Sequence, residues 1–152
     1  MRSTPWIALL VLGTFATALK PQTAPPSAHY YVQLVWGTNH QKPAEADFRP
    51  VGPKLKAELS RVFQWQQYWE AKYKEIDVKQ GKATRIRLSP DCEVEIELIL
   101  PDSRETRIYG KGVLVTRSRC KLHRSSMAIH GGTTETGGSW FVVVREDKPT
   151  SE

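Results

Sequence analysis

The sequence lacks the motifs by which catalytic and phosphate-binding sites are commonly recognised. It contains neither a nucleophile elbow nor a glycine-rich phosphate-binding loop. Its four histidines, His29, His40, His123 and His130, lie in separate segments without the spacing of metal ligands. We therefore expect no catalytic residue, no metal site and no cofactor, and the sequence favours a non-catalytic protein over an enzyme.

Long hydrophobic runs are also scarce, and the one run present lies at the amino terminus. Residues 6–15 are mainly apolar, Arg2 precedes them, and the small residues of an A-x-A pattern follow at residues 16–18. This arrangement predicts a signal peptide over residues 1–18 with cleavage before Leu19. An uncleaved anchor is the alternative, but the run is short against the ~20 residues of a spanning helix. We expect an exported protein, periplasmic or secreted, with no stable membrane span after cleavage.

The segments that flank the predicted domain are polar or rich in proline. Residues 19–28 contain three prolines and read as an extended linker, and residues 147–152 read as a polar tail. We expect the residues between these segments, 29–146, to form a single domain. The chain has 22 Lys and Arg against 16 Asp and Glu, a formal net charge of +6. This modest excess permits contact with an anionic surface and does not indicate nucleic-acid binding.

Only two cysteines are present, Cys92 and Cys120. Export favours a disulfide between them. The strand pattern instead places Cys92 at the start of one strand and Cys120 far along another, whereas a disulfide needs Cα atoms within about 7 Å. We expect two free, buried thiols, with the disulfide as the alternative.

Periodicity predicts one helix followed by a series of strands. The stretch KLKAELSRVF places Leu55, Leu59, Val62 and Phe63 on one helical stripe behind Pro53, and the pattern changes near residues 64–67. Alternating or β-branched stretches read as strands: HYYVQLVWGTN, YWEAKYKEIDV, ATRIRLS, CEVEIELIL, ETRIY, VLVTRSRCKL, SMAIHGG and SWFVVVRE. The expected fold is mainly β, an antiparallel meander or small β-sandwich with one short N-terminal α-helix packed on it. The alternative is an α+β fold.

An acidic stripe and two arginines fix the register of one hairpin. Glu93, Glu95 and Glu97 share one face of a strand, where a calcium site is conceivable. Alternate residues of a strand lie about 6.6 Å apart, however, so a row of carboxylates does not converge on one ion. A turn at Ser89-Pro90-Asp91 would pair Arg87 with Glu93 and Arg85 with Glu95, and on the other face Leu88 with Cys92 and Ile86 with Val94. We therefore interpret the stripe as a solvated face of cross-strand ion pairs.

Five aromatic rings lie close together in the sequence: Phe63, Trp65, Tyr68, Trp69 and Tyr73. On a continuous strand, Trp65, Trp69 and Tyr73 would share a face. A change from helix to strand near Gln66 and Gln67 fits the pattern better, and it favours core packing for most of the rings. The alternative is an exposed ligand-binding platform, for which the candidate residues are Trp65, Tyr68, Trp69 and Tyr73.

Several stretches, in this order, resemble an uncharacterised family of small exported bacterial proteins. They are YYVQLVWGTN, VGPKLKAELSRVFQWQQYW, GKGVLV, and HGG followed by SWFVVV, and together they cover about Tyr30 to Arg145. The resemblance implies a bacterial source, export and a compact β-rich domain. It implies no functional residue.

Two functional hypotheses follow. The leading one is a non-catalytic envelope module that binds or assembles with a protein partner, using a sheet edge or the aromatic segment. The second is a module that binds polysaccharide or peptidoglycan, an anionic glycan or cell-wall surface, through residues 63–73. An uncharged hydrophobic strand edge would favour the first hypothesis, and exposed rings in a groove would favour the second.

Overall fold

The computed structural model describes residues 25–41, 47–123, 127–133 and 137–149. The expected signal peptide at residues 1–18 and most of the expected linker lie outside these ranges. The first strand begins at Ser27, two residues before the predicted start of the domain at His29. Within the described ranges, no helix has the length and apolar character needed to cross a membrane.

Within the described ranges, the chain forms nine strands and one helix. The first sheet is formed by β1 (Ser27–Thr38), β2 (Arg49–Pro50), β3 (Gln67–Lys79), β8 (Met127–Thr133) and β9 (Ser139–Arg145). The second sheet is formed by β4 (Thr84–Ser89), β5 (Cys92–Leu100), β6 (Ser103–Gly110) and β7 (Val113–Lys121). The helix α1 spans Pro53–Val62. The strand order is β2-β3-β1-β9-β8 in the first sheet and β4-β5-β6-β7 in the second, and the paired strands are antiparallel.

The main core lies between the two sheets. It combines residues of β1, β3 and β9 with residues of β5 and β6: Tyr30, Val32, Ile76, Val78, Leu88, Val94, Ile96, Leu98, Ile108, Val142 and Val144. Alternate residues of each strand face this core, as expected for a sandwich. The prediction of a mainly β fold with two antiparallel layers and one helix is confirmed.

The helix packs on the outer face of the first sheet and makes a second core. Leu55 and Leu59 are buried there against Val35, Tyr68 and Phe141. The helix ends at Val62, earlier than the predicted end near residues 64–67. Although Val62 belongs to the predicted apolar stripe, its exposed fraction is 71%.

The predicted hairpin register is largely confirmed. Arg87 pairs with Glu93, Arg85 with Glu95 and Ile86 with Val94. The expected pair of Leu88 with Cys92 is wrong, because Ser89 pairs with Cys92 after a register shift. Leu88 is therefore the additional residue of a bulge, and its side chain is buried in the core between the sheets.

Candidate functional site

The four aromatic residues predicted to bind a ligand do not share one surface. Tyr68 is 3% exposed and packs in the core beneath the helix, where its hydroxyl donates to the Phe63 carbonyl at 3.1 Å. Trp65 is half-buried beside the same core. These two rings therefore support the helix–sheet packing, as the core interpretation of the segment expects.

A bulge separates the other two residues, Trp69 and Tyr73. The pairing of β1 with β3 shifts between Leu34 and Val35, which leaves Ala71 as an extra residue of β3. Trp69 consequently lies on the inner face of the first sheet, opposite Trp36. Tyr73 lies on the outer face, opposite Gln33, and its ring stacks on Tyr31 with the centroids 6.1 Å apart. On a continuous strand, Trp69 and Tyr73 would point to the same face. The extra residue of the bulge places them on opposite faces.

Three tryptophans line up across the inner face of the first sheet. Trp69 of β3 pairs with Trp36 of β1, which pairs with Trp140 of β9, so the three side chains point to the same side. The Trp140 indole lies over Gly132, where an added Cβ would approach the ring to 2.7 Å. The lack of a side chain at Gly132 therefore allows the indole to pack close to β8.

An open cavity of about 480 Å³ lies beside this row, between the ends of the two sheets, and is here called the end cavity. Most of its wall is apolar or aromatic, formed by Leu34, Trp36, Phe48, Ile108, Tyr109 and Trp140. This volume is in the range of small-molecule sites, which also combine an apolar wall with a few polar groups. The end cavity is thus large enough for a small ligand or for a large side chain of a partner.

The polar groups of the end cavity lie at two turns. Ser89 ends β4, Asp91 lies in the turn that follows it, and Lys111 lies in the β6–β7 turn. The Lys111 amide donates to the Asp91 carbonyl at 3.0 Å, which ties the two turns together. Lys111 and Gly112 both have positive φ angles, of 50° and 80°, as a tight hairpin turn between β6 and β7 requires.

The strand that follows this turn begins with three exposed apolar residues. Val113, Leu114 and Val115 open β7, and the exposed fraction of Val113 is 68%. β7 is an edge strand, and among the described residues it pairs only with β6. The half of the strand that carries these residues has no charged side chain, whereas Arg117, Arg119 and Lys121 follow in the other half.

The described edge strands differ in how they are protected against pairing with another chain. Edge strands usually avoid pairing with other chains by being short or by carrying charges or proline. β2 has two residues, one of them Pro50, and β4 carries Arg85 and Arg87. β8 has seven residues and two glycines, whereas β7 has nine residues and an uncharged apolar beginning. β7 carries charges at Arg117, Arg119 and Lys121 and has a register shift at Val115, but its uncharged start at residues 113–115 is exposed and can accept another strand.

The apolar start of β7 adjoins the end cavity. Gly110 lines the cavity and pairs with Val113. An added Cβ on Gly110 would lie 2.9 Å from a methyl carbon of Val115, so the two residues are in close contact. The end cavity and residues 113–115 together form one apolar surface, here called the β7 surface.

The acidic stripe is neutralised by arginines. Glu93 accepts hydrogen bonds from Arg87 and Arg85, which hold the pKa of its carboxyl below the ordinary value. Arg107 donates to Glu95 at 2.5 Å and to Glu97 at 3.0 Å. These contacts make a network of ion pairs on the outer face of the second sheet, as the ion-pair interpretation expects, but the side chain of Arg85 binds Glu93 and not the predicted Glu95.

Glu105 lies at the centre of this network and is 2% exposed. Arg117 and Arg119 approach its carboxylate to 2.9 Å each, and Arg107 also pairs with it. Hydrogen bonds from Arg117, Arg119 and Arg107 lower the pKa of Glu105 to about 2. The carboxylate is therefore ionised across the physiological range and is unsuited to proton transfer there.

The depressed pKa of Glu105 predicts an acid-sensitive fold. A carboxyl group whose pKa is lower in the folded than in the unfolded chain stabilises the fold above its unfolded pKa, about 4.3 for glutamate. This contribution is lost as the pH falls from there towards about 2. We expect E105Q to be less stable than wild type at pH 7 and to show a smaller decrease in urea midpoint between pH 5 and pH 2.5.

Glu58 provides a control for this measurement, because it pairs with one exposed arginine, Arg61, on the helix. E58Q should retain the wild-type acid dependence. Equal pH dependence of E105Q and wild type would show that the Glu105 network does not contribute to acid sensitivity.

The two cysteines are free, so the prediction of unpaired thiols is confirmed, but both are half-buried and the prediction of buried thiols is wrong. Cys92 pairs with Gly110 and Cys120 with Arg104, which places them at opposite ends of β6. Burial raises the pKa of Cys92, which disfavours its reactive thiolate. In the part of the chain that the structure describes, no three His, Cys, Asp or Glu side chains are grouped closely enough to hold a metal ion.

Comparisons with protein-family models, with curated proteins and with solved structures give no match to this chain. The candidate site therefore depends on its own geometry. Sequence reasoning missed the end cavity, since its wall brings together segments far apart in the chain, such as Phe48, Ile108 and Trp140. The β7 edge had a visible signal, namely the uncharged run VLV directly after the turn GKG.

Proposed function

We propose that this protein is an exported, non-catalytic binding module that holds a protein partner by adding a strand of that partner to β7. The partner is a protein of the cell envelope. The observation that carries the proposal is the exposed, uncharged start of the edge strand β7, at residues 113–115.

Strand addition explains this feature physically. An edge strand presents unpaired N–H and C=O groups that an extended peptide can satisfy, and apolar side chains on the edge add affinity. Burial of apolar area contributes about 25 cal/mol per Å². The end cavity lies beside this edge and offers a pocket for one large side chain of the added strand.

Export is supported by the sequence pattern of residues 1–18, in which an apolar run precedes small residues of the A-x-A type. The modest positive charge of the chain suits the anionic surfaces of an envelope. An exported protein and a partner in the cell envelope would thus be present in the same compartment.

A charge introduced on the β7 edge should abolish binding. Lysine on an edge strand opposes pairing with another strand. The test variant is Val113→Lys combined with Leu114→Lys, and both residues are exposed, so stability should change by no more than about 0.5 kcal/mol per substitution. The variant and the wild type are immobilised and incubated with solubilised bacterial envelope proteins.

Val62→Lys is the matched control, because Val62 is an equally exposed valine on the helix. A protein retained by wild type and V62K but lost by the β7 variant supports the proposal. Equal retention by all three proteins contradicts it. Sedimentation of wild type alone tests whether the added strand is β7 of a second copy, which would contradict a separate partner.

A second candidate is binding of polysaccharide or peptidoglycan. The observation that favours it is the pair of indoles, Trp36 and Trp140, that line the end cavity together with Tyr109. The aromatic platform predicted from residues 63–73 is not the basis of this candidate, because those rings lie on different faces. Retention of wild type on insoluble cell-wall material, with its loss in W140A, would favour this function.

A further inference from the structure

One arginine lies in the interior of the sandwich. Arg104 of β6 pairs with Leu98 of β5 and Cys120 of β7, and its exposed fraction is 0%. It belongs to the inward-facing series of β6 that includes Thr106 and Ile108. The sequence alternation of β6 is compatible with this placement, but nothing in the sequence shows what compensates the charge.

The contacts of Arg104 do not neutralise its charge. The guanidinium carbon lies 4.9 Å from the centroid of the Tyr30 ring, and Nη2 donates to the Cys120 sulfur at 3.6 Å. The Nε and Nη1 groups are buried and form no hydrogen bond with any residue that the structure describes. By contrast, Arg107 and Arg117 each pair with a carboxylate.

Most of the groups near Arg104 are neutral hydrogen-bonding groups, and Glu146 is an acidic residue whose charge also reaches Tyr30. Burial raises the pKa of the Tyr30 hydroxyl and the neighbouring Arg104 lowers it, and no described residue makes a hydrogen bond of good geometry with this hydroxyl. The Ser118 hydroxyl lies 3.4 Å from Nε2 of His130. Burial, and then the charge of Arg104, lower the pKa of His130, so its imidazole is neutral near pH 7.

A buried arginine cannot release its proton, and an unpaired buried charge is very costly. We propose that Arg104 and the Tyr30 hydroxyl bind a small monovalent anion, either a halide or a simple carboxylate, between the two sheets. The anion accepts hydrogen bonds from Nε and Nη1 and from the Tyr30 hydroxyl. Its place is near the side of the sandwich where β7 and β8 face each other, beside the half-buried Cys120, Ser118 and His130.

The size of the anion is limited by the surroundings. Arg104 lines neither the end cavity nor the cavity of about 410 Å³ that includes Leu98, Leu122 and Glu146. Since Arg104 is fully buried, only an ion of a few atoms could reach its guanidinium without separating the sheets, which argues against a phosphate ester or a sugar acid. Glu146 is the internal rival for the role of counter-ion, because its charge acts on Tyr30.

The test measures thermal unfolding at constant ionic strength while gluconate, which is too large for the site, is replaced by chloride, bromide or formate. The midpoint of wild type should rise by about 5 °C when the small anion reaches ten times its Kd. R104M should show no such dependence. Y30F should weaken the apparent affinity about tenfold, because one hydrogen bond is lost. Arg61→Met, at an exposed arginine of the helix, should retain the wild-type response.

An equal response of R104M and wild type would overturn the proposal. It would also be overturned if wild type were indifferent to all small anions and E146Q were strongly destabilised, since Glu146 would then be the counter-ion. If R104M does not fold, the anion site is tested instead in crystals of wild type soaked in bromide. An anomalous peak within hydrogen-bonding distance of Nε supports the site, and the absence of a peak there overturns it.

Discussion

Replacement of Phe141 by alanine is expected to lower the free energy of unfolding by about 3–5 kcal/mol. Phe141 is 1% exposed and lies at the centre of the core beneath the helix. Its ring centroid is 4.5 Å from that of Phe63 and 6.1 Å from that of Tyr68. The loss is a large share of the ~5–15 kcal/mol that stabilise a typical domain.

The cavity left by F141A would be difficult to refill. Gly131 lies on the neighbouring strand directly beside the ring, where an added Cβ would approach the ring to 2.9 Å. The glycine has no side chain that could move into the space. Urea unfolding gives the measurement, with V62A as an exposed control expected within about 0.5 kcal/mol of wild type. A loss below about 1 kcal/mol for F141A would contradict the assigned core.

Replacement of Trp69 by alanine is expected to lower the free energy of unfolding by about 3 kcal/mol, the lower end of the range for tryptophan. Trp69 is half-buried in the tryptophan row, and its indole nitrogen is fully buried. The ring therefore acts in packing. Urea unfolding of W69A and wild type measures the effect.

Tyr73 offers the comparison for Trp69, because it belongs to the same predicted platform and lies on the outer face. Y73A should lose clearly less stability than W69A. The outcome that would restore the ligand-binding hypothesis is an unchanged urea midpoint for W69A together with lost retention on insoluble cell-wall material.

Local sequence patterns predicted the fold because apolar and polar residues alternate regularly along most of its strands. The limits predicted for β5 agree with the observed Cys92–Leu100, and the charges of Arg87 and Glu93 established the register of the β4–β5 hairpin. The bulges at Leu88 and Ala71, two of the register shifts in the sheets, could not be predicted, since each is a backbone feature without a distinctive residue. The bulge at Leu88 changed one predicted pair, and the bulge at Ala71 placed Trp69 and Tyr73 on opposite faces.

The candidate site was less accessible to sequence reasoning than the fold. Its cavity depends on the pairing of β1 with both β3 and β9, and these partners are distant in the chain. The exposure of residues 113–115 also depends on the order of strands, because an apolar run at the centre of a sheet would be buried. In the sequence, Arg104 cannot be distinguished from an exposed charged residue of a strand. Its burial results from the packing of the second sheet against the first.

Strand addition at β7 is tested most directly by photo-cross-linking along that strand in cells that export the protein. A photoreactive phenylalanine analogue is placed singly at Val113, Leu114 or Thr116, and at Val62 as a control on the helix. We expect cross-links from the three β7 positions to fall on successive residues of one partner segment, in one direction, and we expect Val62 to give none to that segment. Cross-links scattered over unrelated proteins, or equal labelling from Val62, would contradict it.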